Sequence, residues 1–220
     1  MRLLLVRHAE SQGNAEGRLQ GRREFPLTER GLEQAQALAS RLAGMHVAAV
    51  YASPIQRALQ TALAIGRECG VDVRTDDRLQ EYDFGATLSG LTWREIRDRQ
   101  PELVAALVSN RSEFPHYPGE EGRDAFRERV CAAITEIVER HKADNAVALV
   151  THGGPIVVHL MATLGREYAR PIPFSIENGS ITTVELAASP SAFTPAAVVT
   201  GINDTCHLAH IEPRAKLRVD

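Results

Sequence analysis

The sequence predicts an α/β fold with a single, doubly wound, mostly parallel sheet and helices on both of its faces. Short apolar runs recur along the chain, which is typical of strands buried on both faces of a parallel sheet. Longer amphipathic segments alternate with these runs and predict the connecting helices. The 220 residues contain no linker, internal repeat or low-complexity tract, so we expect one domain over 1–220.

The first half of the chain predicts three strands and two helices. The strands are expected at Leu3–Val6, Val47–Ala52 and Val71–Arg74, and the helices at 28–42 and 53–69. Thr28 is a suitable N-cap for the first helix. The inward stripe of that helix is predicted to contain Leu32, Ala35, Leu38, Ala39 and Leu42. The second helix is expected to start with Ser53 as its N-cap, followed by Pro54.

The second half of the chain predicts three further helical segments and three strands. The helices are expected at 93–108, 123–142 and 153–164, and the strands at 146–150, 181–186 and 196–202. Pro101 should interrupt the first of these helices, because proline removes a backbone donor. The last two strands alternate in polarity, as strands near a sheet edge do. Segments 75–90 and 109–122 are predicted to be irregular.

The charge and cysteine content narrows the function classes. Lysine and arginine number 25 against 28 acidic residues, which leaves a formal charge of −3 and a pI near 6.3. We therefore expect no nucleic acid and no membrane as partners, because both are bound through a large positive surface. Three distant cysteines without a CxxC pair favour a reducing cytoplasm. The apolar run at 3–6 is too short for a signal peptide or a membrane span.

Polar residues follow three of the predicted strands and are expected to converge. Arg7 and His8 end the first strand, 53–57 follow the second, and 151–154 follow the strand at 146–150. The carboxyl ends of parallel strands form the ligand-binding edge of an open sheet. Arg57 falls in the first turn of a helix, where the dipole disfavours a cation unless it meets an anion. Arginines beside a helix N-terminus suit phosphate, so we expect a phosphate pocket here.

Four motifs carry a resemblance to a known family. LLVRHAES, SPIQRALQTA, LQEYDFG and THGG occur in this order, and together they resemble the histidine phosphatase superfamily of phosphoglycerate-mutase-like enzymes. The match extends over nearly the whole chain. It implies a three-layer sandwich, and it implies that roughly 76–125 forms a cap over the substrate mouth.

The resemblance also implies roles for single residues. His8 matches the nucleophile that becomes phosphohistidine, and the nearby cations should keep its imidazole neutral. Glu81 matches the proton donor, with Asp83 as the alternative; burial and bound phosphate would have to keep Glu81 protonated. His152 matches the second catalytic histidine. The implied phosphate-binding residues are Arg7, Asn14, Gln20, Arg57 and His152.

The reaction implied is hydrolysis of small phosphorylated metabolites without a metal or a cofactor. A cofactor-dependent phosphoglycerate mutase is the first alternative, and a low-activity module that binds phosphoesters is the second. Only about 30 residues separate the Glu81 motif from PGEEG at 118–122, and this short span favours the phosphatase, since mutases must shield phosphohistidine from water. A homodimer is possible. His207 and His210 are predicted to be a surface pair rather than a metal site.

Four aromatic residues near these motifs have two interpretations. They either line the pocket mouth or pack in the core, and the core is favoured because the chain has few aromatic residues: Tyr82, Phe84, Trp93 and Tyr117. The segment at 85–90 lacks the Trp and Glu that relatives carry there, which predicts a difference in leaving-group specificity.

Overall fold

A computed structural model describes residues 1–109, 116–168, 172–191 and 196–211. Its sheet has six strands in the order β3-β2-β4-β1-β5-β6. The strands are β1 (Arg2–Arg7), β2 (Val47–Ala52), β3 (Val73–Thr75), β4 (Ala146–Thr151), β5 (Ile181–Leu186) and β6 (Ala197–Asp204). The first four are parallel, whereas β5 runs antiparallel to β1 and β6 antiparallel to β5.

Eight α-helices are found in the described part of the chain. They are α1 (Gln12–Ala15), α2 (Glu29–Ala43), α3 (Gln56–Cys69), α4 (Gly85–Leu88), α5 (Trp93–Arg99), α6 (Pro101–Ser109), α7 (Arg123–Arg140) and α8 (Gly153–Thr163). Short 3₁₀ turns occupy Asp77–Leu79 and Cys206–Leu208. The interruption predicted at Pro101 is confirmed, since α5 ends before it and α6 begins at it. In no helix of the described ranges is the apolar stretch long enough to cross a membrane.

The two faces of the sheet carry separate apolar cores. Leu3 and Leu5 pack with side chains of α7 and α8, such as Phe126. Leu4 and Val6 pack on the opposite face with side chains of α2 and α3. Alternate residues of a strand point to opposite faces, which explains why β1 is apolar at every position between its ends. The predicted α/β fold with helices on both faces is therefore confirmed.

Three local predictions are wrong for identifiable reasons. Helix α3 begins at Gln56 and its N-cap position is Ile55; the hydroxyl of Ser53 accepts from the amide of Ile55 at 3.3 Å and lies 2.8 Å from Nε2 of His152, short of the helix. Leu32 is 54% exposed, so the apolar stripe of α2 starts one turn later than expected. Strand β3 starts at Val73, because the backbone of Val71 still donates to the last turn of α3. The expected loop at 109–122 falls partly outside the described residues.

Candidate active site

The carboxyl ends of β1, β2 and β4 open into a cavity of about 470 Å³. The lining contains six of the seven residues that the sequence singled out: Arg7, His8, Asn14, Gln20, Arg57 and Glu81. The seventh, His152, is fully buried and lies next to His8, with the two ring centroids 5.1 Å apart. The predicted convergence of distant segments at one sheet edge is therefore present.

The imidazole of His8 is held in one orientation and one tautomer. Its Nδ1 lies 2.7 Å from the carbonyl oxygen of Ala9, which can only accept, so Nδ1 carries the proton. Its Nε2 accepts a hydrogen bond from Nε of Arg57 at 3.2 Å and is therefore unprotonated. Burial, reinforced by Arg57 and Arg7, lowers the pKa of His8 well below its usual value. A neutral imidazole with an unprotonated Nε2 is a competent nucleophile once the hydrogen bond from Arg57 is released.

Arg57 lies in the first turn of α3, as predicted, and is only 1% exposed. Its two terminal nitrogens donate to the carbonyl oxygens of Gly21, at 2.7 Å, and Arg23, at 2.9 Å. These bonds fix the plane of the guanidinium beside His8. Burial lowers the pKa of Arg57 to about 10, so the group remains a cation at neutral pH.

Arg7 and His152 each keep a polar atom without a partner among the described residues. Nη1 of Arg7 donates to the carbonyl of Ile176, but its Nε is buried and unpaired. Nε2 of His152 lies 2.8 Å from the hydroxyl of Ser53, whereas its Nδ1 is buried and unpaired. Burial, together with Arg57, lowers the pKa of His152 well below its usual value. Unpaired buried groups of this kind are expected where a ligand supplies the missing partner.

The carboxyl group of Glu81 lines the cavity and is held in place by hydrogen bonds from backbone amides. Oε1 accepts from the amide of Tyr82 at 2.9 Å, and Oε2 accepts from the amide of Gly154 at 3.2 Å, at the start of α8. Burial raises the pKa of Glu81 in spite of the bond from Gly154 and of the nearby cations Arg57 and Arg7. A carboxyl group that stays protonated at higher pH can serve as an acid. The alternative, Asp83, instead accepts from the amide of Gly85 at 2.8 Å.

Asn14 and Gln20 occupy the rim of the cavity beside α1. Oδ1 of Asn14 accepts from the amide of Ser11 and from Nδ2 of Asn178, both at 3.1 Å. Oε1 of Gln20 accepts from the hydroxyl of Ser11 at 2.8 Å. Both amide oxygens are therefore used, which leaves their NH₂ groups as the donors available for an anion.

Sequence reasoning missed a group of residues that hold the site from behind. Arg129 of α7 donates to three backbone carbonyl oxygens of the segment that leads to Glu81, those of Arg78, Gln80 and Glu81. Two of its nitrogens also donate to the carboxylate of Glu121. Asn178, on the turn before β5, also donates to the carbonyl of His8 at 3.1 Å. One available signal was that Arg129 sits three positions after the inward Phe126 on α7, beside the apolar stripe.

The four aromatic residues are found at the cavity rather than only in the core. Tyr82, Phe84, Trp93 and Tyr117 all line it, so the preference for core packing was wrong. Tyr82 lines the cavity and also packs against the core, because its ring contacts Phe126 at a centroid distance of 5.2 Å. Within the described ranges, no three His, Cys, Asp or Glu side chains are grouped to hold a metal ion.

Two arginines and two histidines gather at the ends of the parallel strands of this fold. This arrangement defines an enzyme that acts on phosphate groups. A sequence profile of the histidine phosphatase superfamily (branch 1) matches residues 3–194, and the chain belongs to this superfamily. It is a phosphoric monoester hydrolase.

Three similar proteins support this assignment. Phosphoserine phosphatase 1 of Hydrogenobacter thermophilus is 33% identical over 211 residues, which cover 94% of each chain. The metal-independent phosphoserine phosphatase of Arabidopsis thaliana is 38% identical over 154 residues, covering 69% of this chain and 64% of the relative. The mycobacterial glucosyl-3-phosphoglycerate phosphatase Rv2419c, solved with VO₃, has a TM-score of 0.79 at 28% identity and covers 92% of this chain and 98% of its own.

Proposed function

We propose that this enzyme hydrolyses the phosphate monoesters of small metabolites, without a metal, through a phosphohistidine on His8. The observation that carries the proposal is the pair of contacts that fixes His8: Nδ1 donates to Ala9 and Nε2 faces Arg57. These contacts favour a neutral imidazole with its lone pair directed at a cationic pocket. The pocket would hold the phosphate dianion against that lone pair.

In the first step, Nε of Arg57 releases Nε2 of His8, which forms a bond to phosphorus while the bond from phosphorus to the ester oxygen breaks. Arg7, Arg57 and His152 are proposed to stabilise charge on the three equatorial oxygens, and Asn14 and Gln20 to donate from the rim. Glu81 gives its proton to the leaving oxygen, and its raised pKa supports this role. An alkoxide leaving group would otherwise be a poor one.

In the second step, water attacks the phosphohistidine and the bond from Nε2 to phosphorus breaks. Glu81, now a carboxylate, takes the proton from that water, which restores the acid form for the next cycle. The segment at 76–125 is proposed to act as a cap, since it supplies Glu81, Tyr82 and the α5–α6 wall of the cavity. Free phosphate and an alcohol are the products.

Metal independence is supported by the arginines, which supply the positive charge that a metal would otherwise provide, and by the name of the Arabidopsis relative.

The substrate is proposed to be a small phosphorylated metabolite, because the cavity is about 470 Å³. A cytoplasmic location is proposed from the three free cysteines. A homodimer stays a prediction.

The test uses p-nitrophenyl phosphate in excess EDTA. The wild type should release phosphate and, when quenched rapidly, carry an acid-labile phosphoryl group. His8→Ala should lose both, whereas Leu63→Ala, an exposed change on α3, should retain both. Transfer of the phosphoryl group to a sugar acid rather than to water would favour the mutase, and the absence of any phosphoenzyme would contradict the covalent mechanism.

A further inference from the structure

The cavity has two chemically different ends. The end at β1 and α3 carries the charged groups described above, whereas the outer end is walled by apolar and aromatic side chains. This outer end is named the apolar lobe and is defined by Leu19, Phe84, Trp93, Leu103, Leu107 and Tyr117. Both ends line one cavity, so an ester whose phosphate sits beside His8 has the apolar lobe within the same cavity as a place for its leaving group.

Helix α6 shows that this apolar surface is not a by-product of core packing. None of its residues is buried, although its sequence PELVAALVS is mostly apolar. Leu103 and Leu107 are one turn apart and therefore share a face, and both line the cavity. Trp93, the single tryptophan of the chain, is 44% exposed. Apolar surface left uncovered by folding and gathered in a cavity is typical of a ligand site.

Two cations border the apolar lobe, and one of them is firmly held within the fold. Outside the phosphate end, the described lining includes two cations, Arg18 and Arg123. Arg18 donates to Glu16 at 2.5 Å and to the carbonyl of Gly90 at 2.8 Å. Arg123 lies 3.8 Å from Asp124. A substrate carboxylate would have to compete with Asp124 for Arg123, and elsewhere along this wall a charged group would lose its hydration with little compensation.

One polar group in the apolar lobe is available. The hydroxyl of Tyr117 is buried and has no hydrogen-bond partner among the described residues. Burial, with the nearby charge of Asp83, raises the pKa of Tyr117 to about 12, so the hydroxyl is a neutral donor. A single hydrogen-bond acceptor on an otherwise apolar leaving group would satisfy it.

We propose that the preferred substrates are phosphate monoesters whose leaving group is an uncharged, largely apolar alcohol or phenol, seated in the apolar lobe. This proposal rests on the proposed function and extends it to the substrate class. It separates this chain from an enzyme built for an amino acid or sugar acid ester, whose leaving group bears a carboxylate.

The test is a series of ethyl, butyl and hexyl phosphate, whose leaving alcohols have nearly the same acidity. Chemistry is thereby held constant and kcat/KM reports only the contact with the lobe. Full burial of a methylene is worth about 0.8 kcal/mol, or about a three- to fourfold gain, so hexyl phosphate should exceed ethyl phosphate by about 10²-fold. The corresponding alkylphosphonates should inhibit competitively in the same order.

A matched pair of variants tests whether the gain in kcat/KM with chain length comes from contact with the apolar lobe. Leu103→Gln should flatten the series to less than tenfold between ethyl and hexyl phosphate, and it should leave folding intact because Leu103 is only partly buried. Leu164→Gln makes the same chemical change at a residue that is 50% exposed and outside the cavity lining. This control should retain the wild-type series.

The outcomes separate the two proposals. If phosphoserine or 3-phosphoglycerate is hydrolysed more efficiently than hexyl phosphate, and Arg123→Gln abolishes that advantage, the apolar leaving group is wrong while the phosphatase stands. A flat alkyl series with intact turnover also overturns it. If no ester is hydrolysed and His8 is never phosphorylated, the proposed function fails first and the substrate class with it.

Discussion

The two glycines that open α8 provide a sharp test of the proton donor. A Cβ added at Gly154 would lie 2.1 Å from Oε1 of Glu81 and 3.0 Å from Cζ of Phe126. A Cβ added at Gly153 would meet nothing closer than Nε of Arg7, at 3.9 Å. Gly154→Ala and Gly153→Ala are therefore the same substitution at adjacent positions, and only the first collides with the carboxyl group.

The size of the effect follows from the geometry. To reach ordinary van der Waals contact near 3.4 Å, Oε1 must retreat by about 1.3 Å, which moves the carboxyl group away from the position proposed for the proton donor. The end of a glutamate side chain is flexible, so the fold should persist. A misplacement of about 1 Å costs roughly 10²-fold in rate, within the 10²–10⁴-fold range of general acid catalysis.

The assay compares two leaving groups. An alkyl phosphate needs a proton on its leaving oxygen, whereas p-nitrophenol leaves readily without one. Gly154→Ala should lose about 10²-fold in kcat/KM for an alkyl phosphate and less than tenfold for p-nitrophenyl phosphate. Gly153→Ala should keep both rates, and its thermal transition should stay or rise slightly because alanine favours helix. Equal rates for the two variants on the alkyl ester would refute the assignment of Glu81.

Three further predictions concern pH and stability. Because burial raises the pKa of Glu81, kcat/KM for an alkyl phosphate should fall as pH rises through that pKa, and Glu81→Gln should remove this alkaline limb; a variant with the wild-type profile would count against the acid role. Arg129→Met should lower the free energy of unfolding in urea by about 2–3 kcal/mol, because several charge-assisted hydrogen bonds are lost, whereas the exposed Arg127→Met should change it by less than about 0.5 kcal/mol. His159 has its pKa lowered to about 4 by burial, so the unfolded chain binds more protons below pH 6.5 and stability falls on acidification. His159→Leu should recover about 1–2 kcal/mol of the stability lost between pH 7 and pH 5, and equal losses in both proteins would exclude this histidine as the cause.

Much of the site was predictable because its residues directly follow buried strands. Arg7 and His8 continue β1, and His152 continues β4, so a correct strand assignment places them at one edge of the sheet. Arg57 was predictable because a cation in the first turn of a helix is unfavourable without an anion. These inferences needed only local patterns and the topology of parallel sheets.

The rest of the site depends on contacts that are distant in sequence. Arg129 reaches carbonyls about 50 residues earlier, and Asn178 reaches His8 from the turn before β5. No local pattern pairs such residues. The start of α3 was also missed: Ser53 has the sequence signature of an N-cap, but its hydroxyl bonds the amide of Ile55 and lies 2.8 Å from Nε2 of His152, at the end of another strand.

The central position of β1 has a consequence for biosynthesis. Leu3 is synthesised long before its register partner on β4, Val147. At translation speeds of 5–20 residues per second, this apolar strand waits roughly 7–30 s for its neighbour. During that interval it is a template for aggregation, so we expect the nascent chain to depend on chaperones and to fold mainly after β4 has been synthesised.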